Sequence, residues 1–406
     1  MDYFEKSEFV KMSFSSSTKH SKSWKKMQGR LPHEEHRVAT NLELLFDLIF
    51  VVAIAFAAAE LHHAINHNHV VHGVISFLVV FLAIWWAWIG FTWFASSFDT
   101  DDTPYRIAVF VQMAGALVIA AGIPDAFEHN NFLIVIAGYT LMRNGSIFQW
   151  LRVAFQSPKV RKTALRYALG IFIIQIGWWL SVLVVPAAYW WFAYAILMPL
   201  ELLVPMWAES AGMTPWHPHH IAERYGLLTI IVLGESILST ANAIKEGLAN
   251  GLLSANFLLF CLGAFLIVIC LWWIYFGYEG HTHPKDYKTA FSWGYGHYFI
   301  FASVAATGAG LAVQVDFRLE KAHIDSLLAG YSLALPVAIY VVSIWLIQDH
   351  LKHAKGSWIL PLSSLAILAT PWFTTGYTTI CIGLILIITV ILHQSLICKS
   401  SLARHS

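Results

Sequence analysis

Charge is what this chain has least of. Asp, Glu, Lys and Arg make up 12% of the 406 residues, against about a quarter in soluble globular domains. The two signs nearly cancel, leaving a formal net charge of +1. The basic residues sit in loops instead of along one face, so no nucleic-acid partner is expected. Cysteine is scarce as well. Cys261, Cys270, Cys381 and Cys398 fall within or at the end of apolar stretches without ligand-type spacing, and they say little about redox compartment. A glycine-rich phosphate loop, a Rossmann fingerprint, an HExxH helix and a Ser-His-Asp pattern are missing, and GESIL around Ser236 is too short for a nucleophile elbow. Nucleotide, zinc-hydrolase and acyl-transfer chemistry have no support here, and the sequence leaves any cofactor unknown.

Apolar residues are in excess. They account for 58% of the chain, with a mean hydropathy of +0.61. Runs of about 20 apolar residues, enough to cross the hydrocarbon of a bilayer, recur from residue 42 to 397. The reading is an all-α polytopic membrane protein whose first partner is the lipid bilayer. Breaks at polar, Gly and Pro residues predict about twelve transmembrane helices, near 42–62, 70–95, 105–127, 132–154, 163–185, 187–208, 221–243, 254–277, 288–313, 326–347, 357–374 and 377–397. Residues 1–40 carry eight Lys or Arg and lack the apolar core of a signal peptide, so a polar, disordered cytosolic tail is expected. The transmembrane domain is 41–397, and 398–406 forms a C-terminal tail.

Orientation follows from the loops. With the N-terminus inside, one set holds Lys159, Arg161, Lys162, Arg166, Lys285, Lys288, Lys352, Lys355, Lys399 and Arg404, and the other only Lys245, Arg318 and Lys321. That asymmetry places both termini in the cytoplasm, in a bacterial inner membrane. The chain also resembles itself. ELLFDLIFVVAIA from Glu43 is matched by ERYGLLTIIVLGE from Glu223, WWAWIGF from Trp85 by WWIYFGY from Trp272, and AGALVIAAG from Ala114 by ASVAATGAG from Ala302. Two parallel six-helix repeats, about 41–210 and 217–397, are expected, with a path between them.

Ionisable residues in the spans mark the candidate path. Glu43 and Asp47 share one face of helix 1, near enough to its cytoplasmic end for water to reach. Acids also favour a helix start, which is the plain reading of Glu43. Arg143, Glu201 and Glu235 lie near mid-membrane, each costing about 2.5–3.5 kcal/mol at a helix centre unless paired or hydrated. Pro199 and Pro205 flank Glu201, and Arg224 stands about three turns from Glu235 on one face, with Glu223 beside it. In FDTDDTPYR, one or two of Asp99, Asp101 and Asp102 cap helix 3, and the surplus suggests a cytosolic gate or cation site. Histidine is abundant, at 20 residues. His62, His63, His67 and His69 around the first outside loop form a candidate metal group, with further clusters at His217, His219 and His220, at His281 and His283, and at His350 and His353.

Four ordered motifs, NLELLFDLIFVVAIAF, FDTDDTPYR, AAGIPDAF and HIAERYGLLTIIVLGESIL, together resemble the bacterial low temperature requirement A family over roughly residues 36–400. The family's pattern falls on Glu43, Phe46 and Asp47; on Phe98, Asp99, Asp101 and Asp102; on Pro124 and Asp125; and on His220, Glu223, Arg224, Gly234, Glu235 and Ser236. The resemblance implies a role in growth in the cold and leaves the molecular activity undefined. Combined with the buried charges, it supports a transporter or channel-like protein for a small ion or solute. In that scheme Asp47 exchanges a proton or cation, Glu235 carries it at mid-depth, and Arg143 neutralises a carboxylate or holds an anion. The alternatives are a membrane enzyme using the FDTDD loop to hold Mg²⁺ against a lipid or isoprenoid phosphate, and an accessory or sensory protein.

Overall fold

The structure is a computed structural model that describes residues 24–31, 34, 37–186, 189–251, 254–277, 287–349 and 357–405. Among these residues all regular structure is helical, and the helices pack into a bundle behind a non-helical segment that precedes the first of them. The helices are α1 (Asn41–Asn66), α2 (Val70–Phe98), α3 (Thr103–His129), α4 (Leu133–Gln156), α5 (Arg161–Leu183), α6 (Trp190–Glu209), α7 (Pro218–Ala249), α8 (Ala255–Phe276), α9 (Tyr287–Arg318), α10 (Ser326–Ile344), α11 (Ile359–Phe373) and α12 (Thr378–His405). Ten helical stretches among the described residues are long and apolar enough to cross a membrane. The others fall short for different reasons. α11 has 15 residues, and α4, at 24 residues, carries Arg143, Asn144, Gln149 and Arg152. α12 continues through 398–405, where a tail was expected.

Local chemistry explains where the helices begin. Thr40 and Glu43 form a capping box, Asp102 caps α3 ahead of Pro104, the His217 side chain accepts from His220 N ahead of Pro218, and Ser254 and Asp325 cap α8 and α10. Each side chain satisfies a backbone N–H that the first helical turn leaves unpaired.

In lipid, helices associate through close packing and not through hydrophobicity, so small residues decide where they meet. α3 and α4 approach until a Cβ on Gly138 would stand 2.6 Å from Ile119 N and 2.7 Å from Gly115 O. α12 meets α8 in the same way, at Gly263, where a Cβ would stand 2.6 Å from Ile380 N. α1 packs on α2 and α3, α3 on α4, α4 on α5 and α5 on α6, while α7 packs on α8 and α9, α9 on α10, α10 on α11 and α11 on α12. The two groups join through α1 and α2 against α7 and α9. Large apolar side chains such as Phe172, Leu180, Phe192, Ile196 and Leu203 point outward, as lipid-facing residues do.

The segment before α1 departs from the expectation of a free tail. From residue 24 it straps across the helix ends. Lys25 N donates to Asp102 Oδ2 at 2.8 Å, Met27 N donates to Gln156 Oε1 at 2.7 Å, and Arg37 Nη2 donates to Ala95 O at 2.8 Å. Met27 is fully buried. A polar composition hid this, because the anchoring groups are backbone amides, the buried Arg37 guanidinium and one methionine. Residues 1–23 lie outside the described residues, as do His281, His283, Lys285, His350, Lys352, His353 and Lys355 and the side chains of Lys288, Lys399 and Arg404.

Candidate functional site

The capping box fixes Glu43 at the mouth of α1, with Thr40 N donating to its Oε2 at 2.7 Å. The helical period then puts Asp47 on the same face, which α7 and α2 cover. Arg224 Nη2 donates to Asp47 Oδ1 at 2.5 Å and Trp88 Nε1 donates to the same oxygen at 2.7 Å. His220 Nε2 lies 3.1 Å from Glu43 Oε1, and Arg224 Nη1 lies 3.7 Å from it. Phe46 stacks on Phe91 at 3.9 Å and Phe50 at 4.7 Å, closing the cluster. Glu43 is 1% exposed and Asp47, His220 and Arg224 are 0% exposed. The sequence expectation that water reaches both carboxylates is therefore corrected: α2 and α7 seal them. Glu223 turns away and accepts from Ala39 N at 3.2 Å, holding the entry to α1.

Arg143 belongs to a second cluster. It pairs with Glu201 on α6, and its Nη2 also donates to the Tyr139 hydroxyl at 2.7 Å. Glu201 further accepts from the Tyr139 hydroxyl at 3.0 Å and from Trp178 Nε1 at 2.8 Å. Both charged side chains are 7% exposed. What they retain faces two cavities. The larger has about 1020 Å³ of empty space, counting solvent at its opening, and is walled by α2 to α6 and α9, including Trp86, Trp93, Gln112, Arg143, Glu201 and Glu209. The smaller, about 480 Å³, is lined by Val80, Phe132, Tyr139, Trp178, Trp190 and Glu201. Along α2, α4, α5 and α6 the larger cavity uses residues nearer the strapped end and the smaller one residues nearer the opposite end. Glu201 lines both.

The expected meeting of Asp47, Arg143 and Glu235 does not occur. Asp47 is matched by Arg224 and Arg143 by Glu201. Glu235 lies three turns beyond Arg224, where α7 has lost its cover, half-buried and accepting from Ser239 Oγ at 3.3 Å. Gly234 is exposed with open space beside it, while Ser236 Oγ donates to Val304 O of α9 at 2.9 Å.

The acidic loop likewise divides its charges. Asp102 caps Tyr105 N at 3.1 Å and receives Arg152 through both oxygens, at 2.8 and 2.5 Å. Asp101, with a φ of 46°, takes Arg106 Nε at 2.7 Å and Nη2 at 2.8 Å. Asp99 accepts from Asp101 N at 2.9 Å. Burial pushes the Asp99 carboxyl up to about 6, with Glu43 adding to it and Arg37 and Arg30 opposing. Burial acts on Asp102 too, but the Arg152 and backbone hydrogen bonds outweigh it and hold the group at about 2. Three partners in three directions do not make a cation cup. Pro124 sits within α3, and Asp125 accepts from the His129 ring at 2.9 Å.

The histidines are also dispersed. His62 and His63 lie within α1, not in a loop; the His62 ring is 2.6 Å from Asp316, while His63, His67 and His69 are exposed. Among the described residues no group of three or more His, Cys, Asp or Glu side chains is arranged to hold a metal. Tyr139, Trp178 and Glu209 were missed in the sequence. A Trp or Tyr near a helix end looks like an interfacial anchor, and only the fold shows that these line a cavity.

Membrane-length helices, buried ion pairs and internal cavities define a multi-pass helical membrane protein. The chain belongs to the bacterial low temperature requirement A protein family (LtrA), whose family model matches residues 38–395. It is similar to an uncharacterized protein of Rhizobium meliloti (strain 1021), 26% identical over 339 residues that cover 78% of this chain and 79% of that protein. No solved structure matches it.

Proposed function

We propose that this protein moves a small ion or solute across a bacterial inner membrane, along the line of the two cavities, with Arg143 and Glu201 as the closed partition. One observation carries the reading: a single paired carboxylate, Glu201, is the wall common to two cavities that extend toward opposite ends of the bundle. Pro199 and Pro205 bracket Glu201 within α6, so its local backbone lacks two helix donors and yields more readily than a regular turn. The path lies inside the first six helices and against α9, not midway between two halves. Two parallel repeats with both termini cytoplasmic fit the recurrence of neighbours, first with third and then each with the next, in α1 to α6 and α7 to α12. Where α12 packs along α8, the corresponding α2 and α6 enclose the cavities. The family name adds growth at low temperature as the setting.

The test is flux in proteoliposomes across a panel of ions, small solutes and pH gradients, with Arg143→Met and Glu201→Gln beside the parent. Flux in the parent that the variants lose or uncouple supports the partition. A folded parent that moves nothing under any gradient rejects it. The sealed cluster of Glu43, Asp47, His220 and Arg224 favours a second role for the family motif, as the joint holding α1 to α2 and α7.

A further inference from the structure

Resting on the transport reading, we infer that the larger cavity binds a small organic cation, with Glu209 as its counter-charge. Glu209 ends α6, is 6% exposed and lines the cavity wall. Its carboxylate accepts from the Tyr167 hydroxyl at 2.9 Å, from Thr214 Oγ1 at 2.7 Å and from Thr214 N at 2.7 Å. All three donors are neutral, and among the described residues no cation pairs with it. That sets it apart from Glu43, Asp47, Asp102 and Glu201, each of which faces an Arg.

The charges on the cavity wall therefore do not cancel. Arg143 is already matched by Glu201, which leaves the one negative charge of Glu209. A buried carboxylate gains most from a partner of opposite sign, and the cavity beside Glu209 has room for one as a ligand. The rest of the wall selects its kind. Trp93 and Trp216 stand 5.3 Å apart, and Trp86 meets Tyr295 edge-on at 5.7 Å. Aromatic faces attract an ammonium or guanidinium group and reward an apolar body, while a hydrated inorganic ion gains little from them. An anion would meet Glu209 and the negative faces of the rings. Gln112, Ser146 and Gln149 supply polar contacts at the wall for a hydroxyl or amide on the ligand.

Isothermal titration of the full-length protein in lipid nanodiscs tests this with choline, tetramethylammonium, acetate and dimethylbutanol, the uncharged carbon isostere of choline. The parent is expected to bind both ammonium ions and to bind the isostere at least about tenfold more weakly. Glu209→Gln keeps an acceptor oxygen for Tyr167 and Thr214; it should weaken choline about tenfold and leave the isostere unchanged. Equal binding of choline and its isostere, preference for acetate, or no ammonium binding overturns the inference, and these comparisons need only the parent. Flux of another solute without ammonium binding refutes this inference and spares the transport reading. Ammonium binding without any flux does the reverse.

Discussion

Removing Arg143 and Glu201 singly and together gives a sharp test of the partition. The two side chains are each 7% exposed, so neither charge is solvated once its partner is gone. Breaking a buried pair costs about 3–5 kcal/mol, whereas replacing both members with apolar residues of similar size is close to neutral. Arg143→Met should fall near the lower end, because the Tyr139 hydroxyl and Trp178 Nε1 still donate to the stranded Glu201. Glu201→Met should cost more. It strands the guanidinium and removes the acceptor of Trp178 Nε1, an additional loss of about 1–3 kcal/mol for a buried donor. The double variant strands no charge and leaves only neutral groups, Trp178 Nε1 and the Tyr139 hydroxyl, without their Glu201 acceptor. It should therefore lie several kcal/mol above the sum of the singles, about 3 kcal/mol or more of coupling. Reversible denaturant unfolding in bicelles measures all four proteins. Additive losses would mean that the two charges do not meet in the folded protein, and the partition would fall with them. A folded double variant should also conduct without gating, because nothing ionic remains between the cavities.

Two further outcomes follow from particular residues. Asp99 has its carboxyl raised from 3.8 to about 6 by burial, so the native state holds a proton that the unfolded chain releases in that window. Stability from this group is present below pH 3.8 and is lost as pH rises through about 6, by about 3 kcal/mol in total. Asp99→Asn should flatten this slope in unfolding measured from pH 4 to 7, and an unchanged slope would reject the assignment. Gly138→Val places side-chain carbon where Ile119 N and Gly115 O leave 2.6 and 2.7 Å. Backbone cannot yield as a rotamer does, so the overpacking should cost at least about 1–3 kcal/mol. It should appear as a lower melting temperature and loss of the monodisperse peak in size-exclusion chromatography; wild-type behaviour would place α3 and α4 further apart.

Membrane residence, the order of the helices and most of their starts are properties of neighbouring residues, and they were legible in the chain alone. Hydropathy summed over about 20 residues identifies a span without reference to anything outside it. Thr40, Asp102 and Pro104 mark helix starts because a cap acts on an amide two or three residues away. The family motif was legible for the same reason, as short strings in fixed order. The fate of each charge was decided by tertiary structure. Arg224 and Asp47 are 177 residues apart in sequence, and Arg143 and Glu201 are 58 apart. Periodicity places Arg224 and Glu235 on one face of α7, but whether a neighbour covers that face depends on packing, and only Arg224 is covered. The cavities are likewise absent from any single segment. They lie between α2 and α6, both of which line each cavity, and a gap between helices is a property of the assembled bundle.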